Sequence, residues 1–453
     1  MTEVVVIGGG AGGLTAATQA ARLGARTTLI TDGPLGGDCT YTGCVPSKAL
    51  IAAAAVGRTY AEARTQVHSA ITTVAATEDE AALARADVSV LRGRSELLTP
   101  RRVRVGGREF DADHIVLATG SEAVVPPVPG LADIGVRTNT DIFELADLPS
   151  RLAVIGGGAI GCELAQAFAR LGSSVTVVDQ ASRVLASEDP EASAVIHDAL
   201  VRDGVTFRLG ATLTGGQRYE QGRHLSLADG SEVRADEILV AAGRRPVTLD
   251  LGLVTVGVTV DDQGYVVVDD TCATNVDGVW AVGDVTPLGG FTHVAGHMGF
   301  VAASNICRNR FRPARKVDRT AVPRVTYTDP EVAHVGMTEA QVAARGGRVA
   351  FQPLTTVDRA VTDGRTSGFV KLMAGPNPVL RSLGGGRVLG ATIVSPRAGE
   401  LITEVTLAIR THMFTGRLAQ TIHPYPSWSM AVQQAASQFF YATDGREARP
   451  ART

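Results

Sequence analysis

Lysine is almost missing from this chain: among 43 lysines and arginines, only Lys48, Lys316 and Lys371 are lysine. The arginines are spread rather than clustered and the formal net charge is −3, which leaves no electrostatic case for nucleic acid or acidic lipid. Long apolar runs are missing too. No stretch reaches the roughly 18 residues that a membrane-spanning helix needs, so no membrane partner is expected. A secretory signal is not expected either, because the first apolar stretch already reads as a strand of a nucleotide-binding unit. Cysteine is scarce, with five residues: Cys39, Cys44, Cys162, Cys272 and Cys307. An odd, sparse set without a signal argues against an extracellular disulfide framework and fits a reducing cytoplasm, where a close pair is redox-active. His293 and His297 face one way if helical, but no third ligand lies nearby in sequence, so no metal site is expected.

Glycine, by contrast, is plentiful at 51 residues, in a length of 453 that allows about three domains at ~150 residues each. Val4-Val5-Val6-Ile7 reads as a buried parallel strand. Gly8, Gly10 and Gly13 follow in GxGxxG spacing, then a helical stretch from Leu14 to Leu23 and a second strand from Thr27 to Ile30. Such glycines allow a tight turn, a close backbone approach to a pyrophosphate, and packing of helix on strand, while the helix N-terminus offers N–H donors to phosphate. The pattern recurs. A strand from Leu152 to Ile155 leads into Gly156, Gly158 and Gly161, a helix through Leu171, and a strand from Val175 to Val178 that ends in Asp179. A carboxylate there accepts hydrogen bonds from an adenosine ribose. The matching place in the first unit holds Thr31, with Asp32 one residue later. Plain α/β units with glycine turns are the bland account, but strand, spacing and helix agree twice.

The segment after the first unit, Cys39-Thr40-Tyr41-Thr42-Gly43-Cys44-Val45-Pro46-Ser47-Lys48, carries two cysteines five apart. A regular helix holds such residues too far apart for a disulfide, whose Cα atoms lie within about 7 Å. Gly43 permits a distorted backbone, and Pro46 removes a helical donor while crowding the carbonyl of Thr42. An alanine-rich helix from Ala49 onward would then point its positive end at the sulfurs and, with Lys48, favour a thiolate. Two quieter landmarks follow: Ile115 to Gly120, a buried strand running into a glycine turn, and Val279 to Asp284, another that ends in an acid suited to a sugar-like hydroxyl chain.

In this order the motifs resemble the pyridine nucleotide–disulfide oxidoreductases, the family that includes glutathione reductase, dihydrolipoamide dehydrogenase and mercuric reductase, over nearly the whole chain. Gly36-Gly37-Asp38-Cys39 through Lys48 is similar to its active-site motif, Ala118-Thr119-Gly120 to its mid-domain signature, and Gly283-Asp284 to its flavin-ribityl motif. Thr328 to Glu331 and Gly368 to Leu372 resemble its dimerisation domain. The resemblance implies an α/β fold with two Rossmann-like dinucleotide-binding domains and a C-terminal α+β dimerisation domain. The implied boundaries are 1–148 and 269–320 for FAD, 149–268 for NAD(P), and 321–453 for the dimer interface. It implies FAD and NAD(P)H as cofactors and a small-molecule electron acceptor. Hydride from the nucleotide on Gly156, Gly158, Gly161 and Asp179 would pass to flavin N5. Gly8, Gly10, Gly13, Asp32, Gly37, Lys48, Thr119, Gly120, Gly243, Gly283 and Asp284 complete the implied cofactor-binding positions. Cys44 would contact the flavin and Cys39 exchange with substrate, with Lys48 beside the flavin and Glu163 as its carboxylate partner. Asp179 would meet a 2′-phosphate as a like charge, so NADH is the expected donor, although Arg183 is four residues on. A homodimer is implied, with the tail of one chain completing its partner's site.

The tail departs from the family pattern of a His-Pro pair followed by a glutamate. It reads His423-Pro424-Tyr425-Pro426-Ser427-Trp428-Ser429-Met430. Aligned on His423-Pro424, the glutamate position holds Trp428; aligned on Pro426-Ser427, the histidine position holds Tyr425 and the glutamate position Met430. Either way the local carboxylate is missing. His423 and Tyr425 are both acid–base candidates. The acceptor is then a small disulfide or dithiol, as for dihydrolipoamide dehydrogenase. A metal ion or quinone is the alternative, and a flavin-bound protein without turnover a third.

Overall fold

The β-branched run near the N-terminus becomes strand Glu3–Ile7, the middle of a five-stranded parallel sheet. Its order is Val279–Ala281, His114–Leu117, Glu3–Ile7, Arg26–Thr31, Val88–Arg92, and Val4 stands level with His114 on one side and Thr27 on the other. Such strands are apolar throughout because both faces are covered. Val6, Leu29 and Val116 are 0% exposed, and burying each contributes roughly 1.5–3 kcal/mol. Helix Ala11–Arg22 follows the first strand and packs along helix Thr292–Ile306.

The structure is a computed structural model that describes residues 1–220, 222–309, 311–377 and 383–452. The chain divides into two units, Met1–Leu148 with Ile238–Val317, and Pro149–Glu237 with Asp318–Thr453. In the first unit, strand Arg244–Pro246 pairs with Ser121–Ala123, and Leu251, Leu253, Val258 and Val266 share one core with Val5, Ile7, Ile115 and Leu117.

In the second unit, Arg151–Ile155, Ser174–Asp179 and Thr206–Leu209 are parallel neighbours, with helix Ala159–Arg170 linking the first two. An antiparallel meander, Leu213–Tyr219, Gly222–Leu227 and Glu232–Ala235, follows. Helix Pro190–Arg202 starts as sequence rules prescribe, with Pro190 in its first turn and the Asp189 carboxylate accepting from Glu191 N–H at 2.9 Å. The C-terminal region is a six-stranded antiparallel sheet ordered Arg324–Thr326, Glu331–Gly336, Arg387–Ser395, Phe369–Gly375, Arg348–Pro353, Arg449–Pro450. Helices Ala398–Arg410 and Met430–Ser437 cover it, and Ile402, Val405, Val432 and Ala435 join Val370, Leu372 and Ile393 in the core.

Candidate active site

The two glycine loops are geometric twins. A Cβ added at Gly13 would lie 1.9 Å from the Gly8 carbonyl oxygen, and one at Gly161 1.9 Å from that of Gly156, so only glycine lets each helix start against its strand. Gly10 and Gly158 are the N-caps, neither helix start has a side-chain cap, and a Cβ on either glycine meets nothing within 4 Å. The first-turn N–H groups therefore face open space, and the residues present fit a dinucleotide pyrophosphate in each unit. Gly37 abuts the first loop, since its Cβ would fall 2.8 Å from Gly10 Cα.

Beneath the second loop, the half-buried Asp179 accepts from the N–H groups of Gly157 and of Ala181, the latter at 2.7 Å. A Cβ on Gly157 would lie 3.2 Å from Asp179 Oδ2, and one on Gly9 3.0 Å from Thr31 Oγ1. Thr31 is thus the positional counterpart of Asp179 in the first unit, and Asp32 is not. Successive strand residues point to opposite faces, and Asp32 turns outward, exposed, with its carboxylate 3.5 Å from Arg94. Arg183, the guanidinium near Asp179, donates instead to the carbonyls of Leu185 at 3.4 Å, Ala186 at 2.6 Å and Glu188 at 2.8 Å.

The cysteine segment forms two short helices, Gly37–Tyr41 and Cys44–Ala55, broken at Thr42 and Gly43. A Cβ at Gly43 would sit 2.8 Å from the Asp38 carbonyl oxygen, which is why glycine occupies the break. The second helix starts at Cys44, earlier than Ala49, because Pro46 falls in its first turn, where its missing N–H costs nothing. Cys44 is exposed and Cys39 half-buried; the Cys44 Sγ lies 3.6 Å from Thr292 Oγ1, at the start of helix Thr292–Ile306. The Cys39 thiol is driven far above its ordinary range, first by its hydrogen bond with the Cys44 sulfur and then by burial, while Thr292 opposes both. Lys48 Nζ reaches Ser47 Oγ at 3.4 Å, and Ser47 Oγ donates to the Cys44 carbonyl at 3.3 Å. Cys162 and Cys272 are fully buried, and burial pushes each thiol up to about 12, so neither competes for the redox role.

Thr119 donates to the Val247 carbonyl at 2.6 Å, the Gly120 carbonyl accepts from Val247 N–H at 2.9 Å, and that of Gly243 from Val124 N–H at 3.1 Å. Gly283 opens a 3₁₀ turn that ends at Val285. Within this turn Asp284 accepts from Gly290 N–H at 2.8 Å and from Ser121 Oγ at 3.0 Å. Arg244 donates to Ser121 Oγ at 2.8 Å, to the Ser121 carbonyl at 2.6 Å and to Asp38.

In the second unit Glu163 is 4% exposed and accepts from Tyr327 N–H at 2.8 Å. The carboxylate missing from the tail sequence is supplied from elsewhere. Glu404, on helix Ala398–Arg410, lies 3.1 and 3.2 Å from His423 Nε2. His423 Nδ1 lies 2.9 Å from the Thr421 carbonyl. Both partners belong to this chain, so both ring nitrogens are engaged within it. Tyr425 is 69% exposed, and hydrogen bonding to Asp358 and its charge raise the phenol's pKa. Thr292, Ser121, Asn139, Arg244 and Glu404 are candidate-site residues the sequence reading missed. Ser121, next to Gly120, and Arg244, next to Gly243, sat beside flagged positions.

Residues 2–299 match the family profile described as pyridine nucleotide-disulphide oxidoreductase, and residues 322–436 its dimerisation domain. A mercuric reductase from Streptomyces lividans is 36% identical over 468 residues, covering 96% of this chain and 96% of the relative. A dihydrolipoyl dehydrogenase from Chlamydia muridarum (strain MoPn / Nigg) is 34% identical over 457 residues, again covering 96% of each. Among solved structures, the Cu(II) complex of the HOCl-induced flavoprotein disulfide reductase RclA from Escherichia coli is 28% identical with a TM-score of 0.88, covering 96% of this chain and 99% of that one. The chain belongs to the pyridine nucleotide-disulphide oxidoreductase family. It is a FAD-dependent enzyme that uses NAD(P)H, as the motif order implies.

Proposed function

We propose that the enzyme takes electrons from NADH and delivers them through the Cys39–Cys44 pair to a low-molecular-weight disulfide. The observation that carries this reading is the cysteine pair itself: two sulfurs in mutual contact, one at the first turn of a helix, with Lys48 one turn on. Bound FAD supplies the two-electron relay between the nucleotide and the cysteines. Cys44 sits at the terminus of its helix, where a thiolate is favoured, so Cys44 faces the flavin and Cys39 exchanges with substrate, as in the family that the motif resembles. Overall, one hydride from NADH and one proton from water convert one S–S bond into two thiols. The working form is a homodimer in the cytoplasm, a reading supported by the match to the dimerisation profile and the sparse, odd cysteine set. Light scattering that finds an active monomer would overturn the dimer.

A second reading, reduction of a soft metal ion, is favoured by one observation: both ring nitrogens of His423 are engaged within this chain, by the Thr421 carbonyl and Glu404. A turnover screen with lipoamide, glutathione disulfide, mycothiol disulfide, mercuric ion, cupric ion and benzoquinones separates the two. With the best acceptor, Tyr425→Phe is expected to slow turnover at least about tenfold while NADH still bleaches the flavin, a threshold set below the about 10²–10⁴-fold of a positioned acid–base group. If neither Tyr425→Phe nor His423→Ala matters, protonation is not supplied by the tail, and metal-ion reduction becomes the better reading.

A further inference from the structure

We infer that Arg244 and Asn139 are positioning residues that fix the geometry of the Cys39–Cys44 segment from outside it. The inference rests on the redox reading of that pair. It begins with a missing donor. In a continuous helix the Thr42 carbonyl would accept from the residue four on, but that residue is Pro46, which has no N–H. Asn139 fills the gap, its Nδ2 donating to the Thr42 carbonyl at 3.2 Å. Asn139 is buried, at 6% exposure, so its amide needs partners and has a defined task here.

Asn139 is itself held. Its Oδ1 accepts from Arg244 Nη1 at 3.4 Å, and the same guanidinium donates to Asp38, the residue before Cys39. One guanidinium and one amide therefore grip the segment on both sides: at Asp38 ahead of Cys39, and at Thr42 ahead of Gly43 and Cys44. Arg244 also donates to Ser121 Oγ, which donates to Asp284, the acid expected to meet the flavin's hydroxyl chain. The network thus ties the cofactor end of the first unit to the cysteine end. A planar fork with five donors serves these partners at once, whereas a lysine ammonium is a point charge on a flexible stem.

The plainer account is that Arg244 only secures the pairing of strand Arg244–Pro246 with Ser121–Ala123. Holoenzymes carrying Arg244→Met, Arg244→Lys and Asn139→Ala distinguish the two. Two quantities are read: the long-wavelength thiolate-to-flavin absorption after two-electron reduction, and the rate at which iodoacetamide alkylates Cys39 in the reduced enzyme. Melting temperature is followed alongside. Arg244→Met and Asn139→Ala are expected to weaken the band and shift the alkylation rate by about ten- to a hundredfold, the scale of a misplacement near 1 Å. Arg244→Lys is expected not to rescue either quantity. A lowered melting temperature with band and alkylation unchanged overturns the inference, and so does full rescue by Arg244→Lys. If the wild-type enzyme shows neither the band nor a reducible pair, the redox reading falls and takes this inference with it; a band present in the wild type and intact in the variants overturns the inference alone.

Discussion

The nucleotide preference follows from one carboxylate and one occupied guanidinium. A 2′-phosphate at the ribose position of the second unit would stand beside Asp179, which is held in place by the N–H groups of Gly157 and Ala181 and cannot swing away freely. Arg183 offers no relief, because its donors are spent on the carbonyls of Leu185, Ala186 and Glu188. Two unit charges about 4 Å apart repel by about 1 kcal/mol in bulk water and about 4 kcal/mol at the effective dielectric of a protein surface. At 1.36 kcal/mol per decade, that predicts a kcat/KM for NADH about fivefold to a thousandfold above that for NADPH. Stopped-flow bleaching of the flavin with each nucleotide measures it directly. Asp179→Ser should collapse most of the difference by raising the NADPH value. A wild-type preference for NADPH, or a discrimination unmoved by Asp179→Ser, would refute the argument.

Other consequences are as specific. Cys44→Ser should abolish the thiolate-to-flavin band and Cys39→Ser retain it; two variants with the same spectrum would show that the roles of the sulfurs are misassigned. Lys371, 2% exposed, lies 2.8 Å from Asp189, 2.5 Å from Glu191 and 3.2 Å from Glu339, so Lys371→Met should cost about 3–5 kcal/mol in urea unfolding by leaving the buried Asp189 carboxylate without its cation. Burial works to raise the Glu339 carboxyl, but Arg449, the Arg452 N–H and Lys371 outweigh it and bring it from 4.5 to about 2. A depressed carboxyl stabilises the fold above its unfolded pKa, so thermal stability should hold above about pH 4.5 and fall as pH drops toward 2, a slope that Glu339→Gln should flatten.

Much of this was legible in sequence because it is local. A parallel strand between covered faces must be apolar along its length, and a helix packed against its own strand must be glycine at the contact, so Val4 to Gly13 and Leu152 to Gly161 announce themselves. The cysteine segment was legible for the same reason, with Gly43 and Pro46 marking the break. Its helix starts sooner than alanine content implied, because a proline in a first turn does not delay a helix.

The tail shows where local reading must stop. A histidine-orienting carboxylate is recognisable in sequence only when it follows the histidine at a fixed interval. Here it comes from Glu404, on a helix whose sequence announces only an amphipathic face, and no spacing rule joins the two. The geometry also changes what the pair can do. With Glu404 at Nε2 and the Thr421 carbonyl at Nδ1, the ring is bound within its own tail, whereas Tyr425, two residues on, is exposed beside Asp358. The residues that keep the family pattern are those of the two glycine loops and the cysteine segment. The residues that depart from it lie where an acceptor's leaving group would be protonated. A change confined to that step alters which acceptor is served without altering how electrons reach the cysteines, so assays of the two half-reactions should respond separately to substitutions in the tail.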